Sequence, residues 1–176
     1  ESFVFDGTAK LPEITIHDET VGKDLVLNTD YTFVCENNTT VGTKTITITG
    51  KENYTGTRTA TFEITNAKLN VTAEDYTVTY DGKAHGITLS GIEEATVTYG
   101  TEAGKYELTV NPTYTEKGTY TVYYKVEKAN YDTVTGEATV TITAKDIAST
   151  DVKVTLDRES FVFDGTAKLP EITIHD

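Results

Sequence analysis

The chain contains no methionine, no tryptophan and no glutamine, and a single cysteine, Cys35, among 176 residues. One thiol excludes an intrachain disulfide, so Cys35 is expected to be a small apolar residue packed inside a strand. Without glutamine, neither an internal Cys–Gln thioester nor a Thr–Gln ester can form. No apolar run approaches the roughly 18 residues of a membrane span. No stretch sustains helical periodicity. Basic residues are scarce: 15 Lys and Arg stand against 28 Asp and Glu, a net charge of −13. Such a chain repels phosphate backbones and anionic headgroups, which argues against nucleic acid as a partner and against membrane insertion.

What is abundant is threonine, about one residue in five, together with Val, Ile and Tyr. These residues fit the pleated, half-buried surface of a sheet. Apolar residues recur at every second position along several runs. In the first half these are Ile14 and Ile16; Tyr31, Phe33 and Cys35; Ile46 and Ile48; and Ala60, Phe62 and Ile64. In the second half they are Ile87 and Leu89; Val97 and Tyr99; Tyr106, Leu108 and Val110; Tyr120 to Val126; and Ala138, Val140 and Ile142. Period two predicts antiparallel strands with one packed face and one solvated face.

Residues 1–18 and 159–176 are identical, ESFVFDGTAKLPEITIHD in both. Eighteen consecutive identities mark a tandem array with a repeat of 158 residues, of which the chain is a window. A weaker repeat lies inside it. Phe5-Asp6-Gly7 corresponds to Tyr80-Asp81-Gly82, Gly42 to Gly118, Asn53-Tyr54 to Asn130-Tyr131, and Ala60–Thr65 to Ala138–Thr143. Three units follow: 1–66, a β-sandwich of type 1 lacking its first strand; 67–145, a sandwich of type 2; and 146–176, the opening strands of the next type 1 copy. All six Phe fall in the type 1 units and nine of the eleven Tyr in type 2, so the first core is the oilier. The joints near 66–68 and 144–146 hold no Pro- or Gly-rich tract, which predicts a semi-rigid rod.

The fold class expected is all-β: two tandem immunoglobulin-like sandwiches in an elongated rod, plus the opening of a third. Asp6-Gly7 and Asp81-Gly82 read as tight turns, with Gly supplying positive φ. Tyr54 and Tyr131 are expected at the corner before the last strand of each unit. Isolated strands are unstable in water, so residues 151–176 are expected to add to the incomplete unit of a neighbouring copy. There, 159–176 would compete with that neighbour's residues 1–18.

The stretches 30–64, 80–91 (YDGKAHGITLSG) and 111–142 resemble bacterial immunoglobulin-like and MBG-type repeats of large cell-surface proteins. The resemblance covers nearly the whole chain and carries strand and turn signatures only. It implies a secreted, surface-displayed stalk or spacer of an adhesin or fibre, with no catalysis and no cofactor. Cys35 departs from the β-formers, often Tyr, that such repeats carry at that strand position.

No chemical constellation emerges beside this. His17 and His85 have no second His or Cys at ligand spacing, and no D-x-D-x-D-G calcium loop is present. His85, after a turn, is expected to be solvated. Lys44 and Lys125 are assigned to polar phases of their strands, away from the buried acid and amide that an isopeptide needs. The alternative reading is a ligand-binding module for a host glycan or protein. Its contact surface would be the Tyr-rich second unit, with Tyr123 off the core phase of its strand.

Overall fold

The computed structural model describes all of residues 1–176, and the chain is all-β with no helix. Unit one holds β1 (Ser2–Val4), β2 (His17–Asp18), β3 (Lys23–Asp24), β4 (Tyr31–Cys35), β5 (Gly42–Gly50) and β6 (Thr57–Thr65). Unit two holds β7 (Thr72–Glu74), β8 (Tyr76–Thr79), β9 (Thr88–Ser90), β10 (Thr96–Gly100), β11 (Gly118–Glu127) and β12 (Val134–Thr143). The remainder supplies β13 (Lys153–Leu156) and β14 (Ile172–His175).

Each of the first two units is built on a four-stranded sheet, ordered β1-β6-β5-β4 and β8-β12-β11-β10. The two sheets have one topology. The first strand lies parallel to the last, with Phe3 opposite Ile64 and Val78 opposite Ile142. The long central hairpins are antiparallel, with Gly42 opposite Ile64 and Gly118 opposite Ile142. Thr on the outer phase and Ile, Val or Phe on the inner phase fix these registers, because a one-residue slip would turn every apolar side chain to solvent.

Two apolar clusters result. In unit two, Val122, Tyr124, Val126, Ala138, Val140 and Ile142 are buried, with Ile87 beside them. The separate two-stranded pair β7–β9 packs onto this cluster through Ala73 and Leu89, and the chain leading into β7 does so through Leu69 and Val71. In unit one the buried cluster is smaller, Ile46, Phe62 and Ile64, ringed by Phe3, Phe5, Ile14 and Phe33. Cys35 is half-buried against it.

Several expectations need correction. Tyr106, Leu108 and Val110 do not form an inward strand. Leu108 makes only a single bridge to Tyr99, and Val110 is 75 % exposed. Ala60 is exposed, although its counterpart Ala138 is 3 % exposed. Lys44 is buried, at 7 % exposure, on the same phase of β5 as Ile46. Its stem covers apolar surface while Nζ donates to Thr40 Oγ1 at 3.0 Å and to the Val41 carbonyl at 3.3 Å. Its counterpart in unit two is Tyr120, stacked on Tyr114 with ring centroids 3.9 Å apart. His85 is largely covered, its ring stacked on Tyr76 and its Nε2 2.8 Å from Asp81 Oδ1.

Candidate functional site

The two Asp-Gly turns share one construction. Gly7 and Gly82 sit at φ +82° and +72°. The carboxylate before each accepts a backbone N–H two residues on: Thr8 N to Asp6 at 2.9 Å and Lys83 N to Asp81 at 2.9 Å. A basic side chain four residues on closes each turn, Lys10 onto Asp6 and His85 onto Asp81. These donors, Lys10 and His85 foremost, hold both carboxyls below the usual range. Asp164-Gly165 repeats the first turn, with Thr166 and Lys168 in the same roles. These are structural turns that orient the following chain; they present no ligand set.

Tyr54 and Tyr131 serve different ends. Tyr54 lies in the turn between β5 and β6 and donates its hydroxyl to Asp18 Oδ2 at 3.1 Å. Asp18 also accepts the N–H groups of Thr20 and Val21, which lower its pKa. Burial and the facing Asp18 raise that of Tyr54.

Tyr131 lies in the joint between units. Ala67 N donates to the Asn130 carbonyl at 3.0 Å, and Asp132 N donates back to the Ala67 carbonyl at 2.8 Å. The Asn130 side chain accepts Val41 N–H from unit one at 3.0 Å. The Tyr131 ring meets Phe5 of unit one edge to face. One turn of unit two therefore holds the connecting residue Ala67, the backbone N–H of Val41 and the ring of Phe5.

Tyr123 points away from the core cluster and is half-buried, with Gly100 and Glu137 opposite it on the flanking strands. No cluster of three or more His, Cys, Asp or Glu side chains is positioned to hold a metal ion.

A groove of about 680 Å³ lies over the sheet of unit one. Ile14, Ile16, Ile46, Ile48, Ala60 and Phe62 line it, together with Tyr54, Asp30 and Arg58. Asp30 is itself buried, accepting Val26 N at 2.9 Å and facing Lys23 at 3.3 Å. In unit two β7 packs against β12, with Ala73 and Ala138 in one apolar cluster. Ala60 is exposed where its counterpart Ala138 is covered.

Residues 151–176 form a two-stranded pair of their own, Leu156 opposite Ile172 and Thr155 opposite Thr173. That register repeats the β7–β9 pairing, Ala73 opposite Leu89 and Thr72 opposite Ser90, shifted by 83 residues throughout. The pair has no sheet beneath it: Val154, Leu156, Ile172 and Ile174 are exposed, and Phe163 is 90 % exposed.

The Asn130 joint was not visible in the sequence, because it depends on which elements come together in space, although the repeated Asn-Tyr dipeptide marked the turn. No family model matches the chain, and no curated protein matches it.

Proposed function

We propose that the chain is a structural spacer repeat of a bacterial surface adhesin or fibre, displayed outside the cell and without catalysis. In this reading each unit is an immunoglobulin-like sandwich of the MBG-type kind. The four-stranded sheet forms one layer and the β7–β9 pair, or its equivalent, the other.

The observation that carries the reading is the parallel pairing, in each four-stranded sheet, of the sheet's first strand with its last. In unit two, Tyr76–Thr79 runs beside Val140–Thr143 in the same direction, and Tyr80 N donates to the Thr143 carbonyl at 2.9 Å. Unit one repeats this, with Phe5 N donating to the Thr65 carbonyl at 2.9 Å. Tension carried along β8 and β12 of unit two, or along β1 and β6 of unit one, slides the paired strands past one another. The ladder is then loaded all at once and not unzipped bond by bond. The gripped joint at Ala67 limits bending between units, and the acidic surface keeps a long array soluble.

Neighbouring copies of the same repeat are its partners, with residues 151–176 supplying strands to the next copy. The test is dimensional. Joining two, three and four copies of the 158-residue repeat should extend the maximum dimension in X-ray scattering linearly with copy number. Growth with the cube root of mass would reject a rod.

A further inference from the structure

We propose that the free edge of β4 in unit one is a lateral docking site for the same edge of a second copy of this chain, so that the sheets of two copies join antiparallel across Val34. The inference goes beyond the spacer reading, since it concerns the flank of the array and not its length.

The open edge follows from the phase of the hydrogen bonds. Gly50 N donates to the Gly56 carbonyl at 2.9 Å, so the even residues of β5 face β6. Lys51 N donates to the Asp30 carbonyl at 2.9 Å, so the odd residues face β4, where Thr49 and Thr47 stand opposite Thr32 and Val34. Backbone groups alternate in direction along a strand, so Tyr31, Phe33 and Cys35 turn their N–H and C=O groups away from the sheet. Asn28 N donates to the Tyr31 carbonyl at 2.7 Å; the outward groups of Phe33 and Cys35 meet no partner in the chain.

Unit two closes the same edge. Tyr99 is the counterpart of Phe33, opposite Tyr124 as Phe33 is opposite Ile48. Tyr99 N donates to the Leu108 carbonyl at 2.7 Å, and Leu108 N donates back to the Tyr99 carbonyl at 2.9 Å. Leu108 belongs to the connection 101–117 between β10 and β11, whereas β4 and β5 are joined by the short connection 36–41. The edge is also distinct from the groove. In unit two β7 packs over β12, which β11 separates from the edge strand β10. A strand in the like place of unit one therefore leaves β4 open, and an open edge is a template for further pairing.

Self-complementarity sets the occupant. An antiparallel two-fold about Val34 places Phe33 opposite Cys35 of the copy, and Cys35 opposite its Phe33. Each such pair exchanges both N–H···O bonds, which satisfies the free groups of both edges. Val34, 58 % exposed, meets Val34 of the copy in a non-hydrogen-bonded pair. The Cα atoms of such a pair are about 4.5 Å apart, close enough for the two apolar side chains to touch. Glu36 falls opposite Thr32, so no like charges oppose one another directly. Asn37 at φ +57° turns the chain out of the strand, and Asn28 already fills the edge at Tyr31, which limits the pairing to residues 33–35. The contact is isologous and short, hence weak alone. Each repeat of an array carries one such edge, and several engaged together add avidity.

The experiment is amide exchange of the full chain, followed residue by residue by NMR from dilute to concentrated solution. The Phe33 and Cys35 amides should exchange freely when dilute and about ten-fold more slowly when concentrated, while Thr32 and Val34, bonded within the sheet, stay slow throughout. On mild oxidation Val34→Cys/Cys35→Ser should form disulfide dimers on the order of ten-fold faster than Thr59→Cys/Cys35→Ser, whose thiol stands exposed on the same outer face but away from the edge. Cys35→Pro removes an outward N–H and no bond within the sheet, and should abolish the slowing at Phe33. Val34→Lys changes an exposed side chain and should do the same by setting like charges opposite each other. Exchange at Phe33 and Cys35 that does not change with concentration overturns the proposal. So does slowing at Phe33 that persists in either folded variant. Slowing without preferential cross-linking at position 34 also overturns it, because another segment then takes the edge. None of these failures alters the scattering dimensions of covalently joined repeats, so the spacer reading is judged separately.

Discussion

The rings of Phe5 and Tyr131 stand edge to face, centroids 5.6 Å apart, across the boundary between the first two units. They are 126 positions apart in sequence, yet the Ala67 bridge to the Asn130 turn brings them together. An aromatic pair of this geometry contributes about 0.5–1.5 kcal/mol beyond its burial. A double-mutant cycle with Phe5→Leu and Tyr131→Leu should return a coupling energy of that size. In calorimetry, Tyr131→Leu should also widen the gap between the melting transitions of the two units. Strict additivity would show that the joint transmits no energy.

Gly82 at φ +72° tests the turn. A Cβ there meets nothing within 4 Å, so the effect of substitution is one of backbone conformation alone. Gly82→Val should destabilise unit two by more than about 1 kcal/mol, since β-branched residues are strained at positive φ. Gly82→Asn should lose less, because Asn tolerates the left-handed region. Equal losses in urea denaturation would mean that side-chain size, and not φ, governs the site.

Gly136 is a glycine of a different kind. A Cβ at this position would lie 2.3 Å from the Tyr124 hydroxyl, its side-chain neighbour across the hairpin. Gly136→Ala should destabilise by about 1–3 kcal/mol through overpacking. Adding Tyr124→Phe removes the clashing oxygen and should recover part of that loss. A double variant no better than Gly136→Ala would place the strain elsewhere.

Much of this architecture was legible in the sequence. The period-two runs located the central hairpins, and the Asp-Gly pairs located the turns, because both are local signals. Lys44 was misplaced although its phase is that of Ile46 and Ile48. Its charge suggested solvent, but the long stem reaches the strand end, where Nζ finds Thr40 and the Val41 carbonyl. Val110 was misplaced for the opposite reason. The alternation over Tyr106–Val110 looks like a strand, but only Leu108 finds a backbone partner, Tyr99. An open place in unit one was expected from its missing first strand, but its position beside Ala60 was not, since Ala60 and Ala138 are the same residue in the same motif and differ only in what covers them.

Acid should weaken unit one. Asp18 and Asp30 are held below the usual carboxylate range, chiefly by the backbone N–H groups of Val21 and Val26 respectively. A depressed folded-state pKa stabilises above the unfolded value, near 3.9, and that contribution is lost as pH falls through the folded-state value. The urea midpoint should therefore be constant near neutrality and drop below about pH 4. Asp18→Asn/Asp30→Asn should start lower at pH 7 and fall less on acidification. Parallel pH profiles for the two proteins would remove these carboxylates as the cause.

The most direct measurement is single-molecule extension of unit two in two directions. Pulled from residues 67 and 145, it should hold until one discrete force peak and then release on the order of 200 Å of chain, at roughly 3.4 Å per residue. Pulled from Thr119 and Thr141, which lie directly opposite across β11 and β12, the ladder should peel open at clearly lower force. Equal forces in the two directions, or smooth extension with no peak from the ends, would contradict a role in bearing tension.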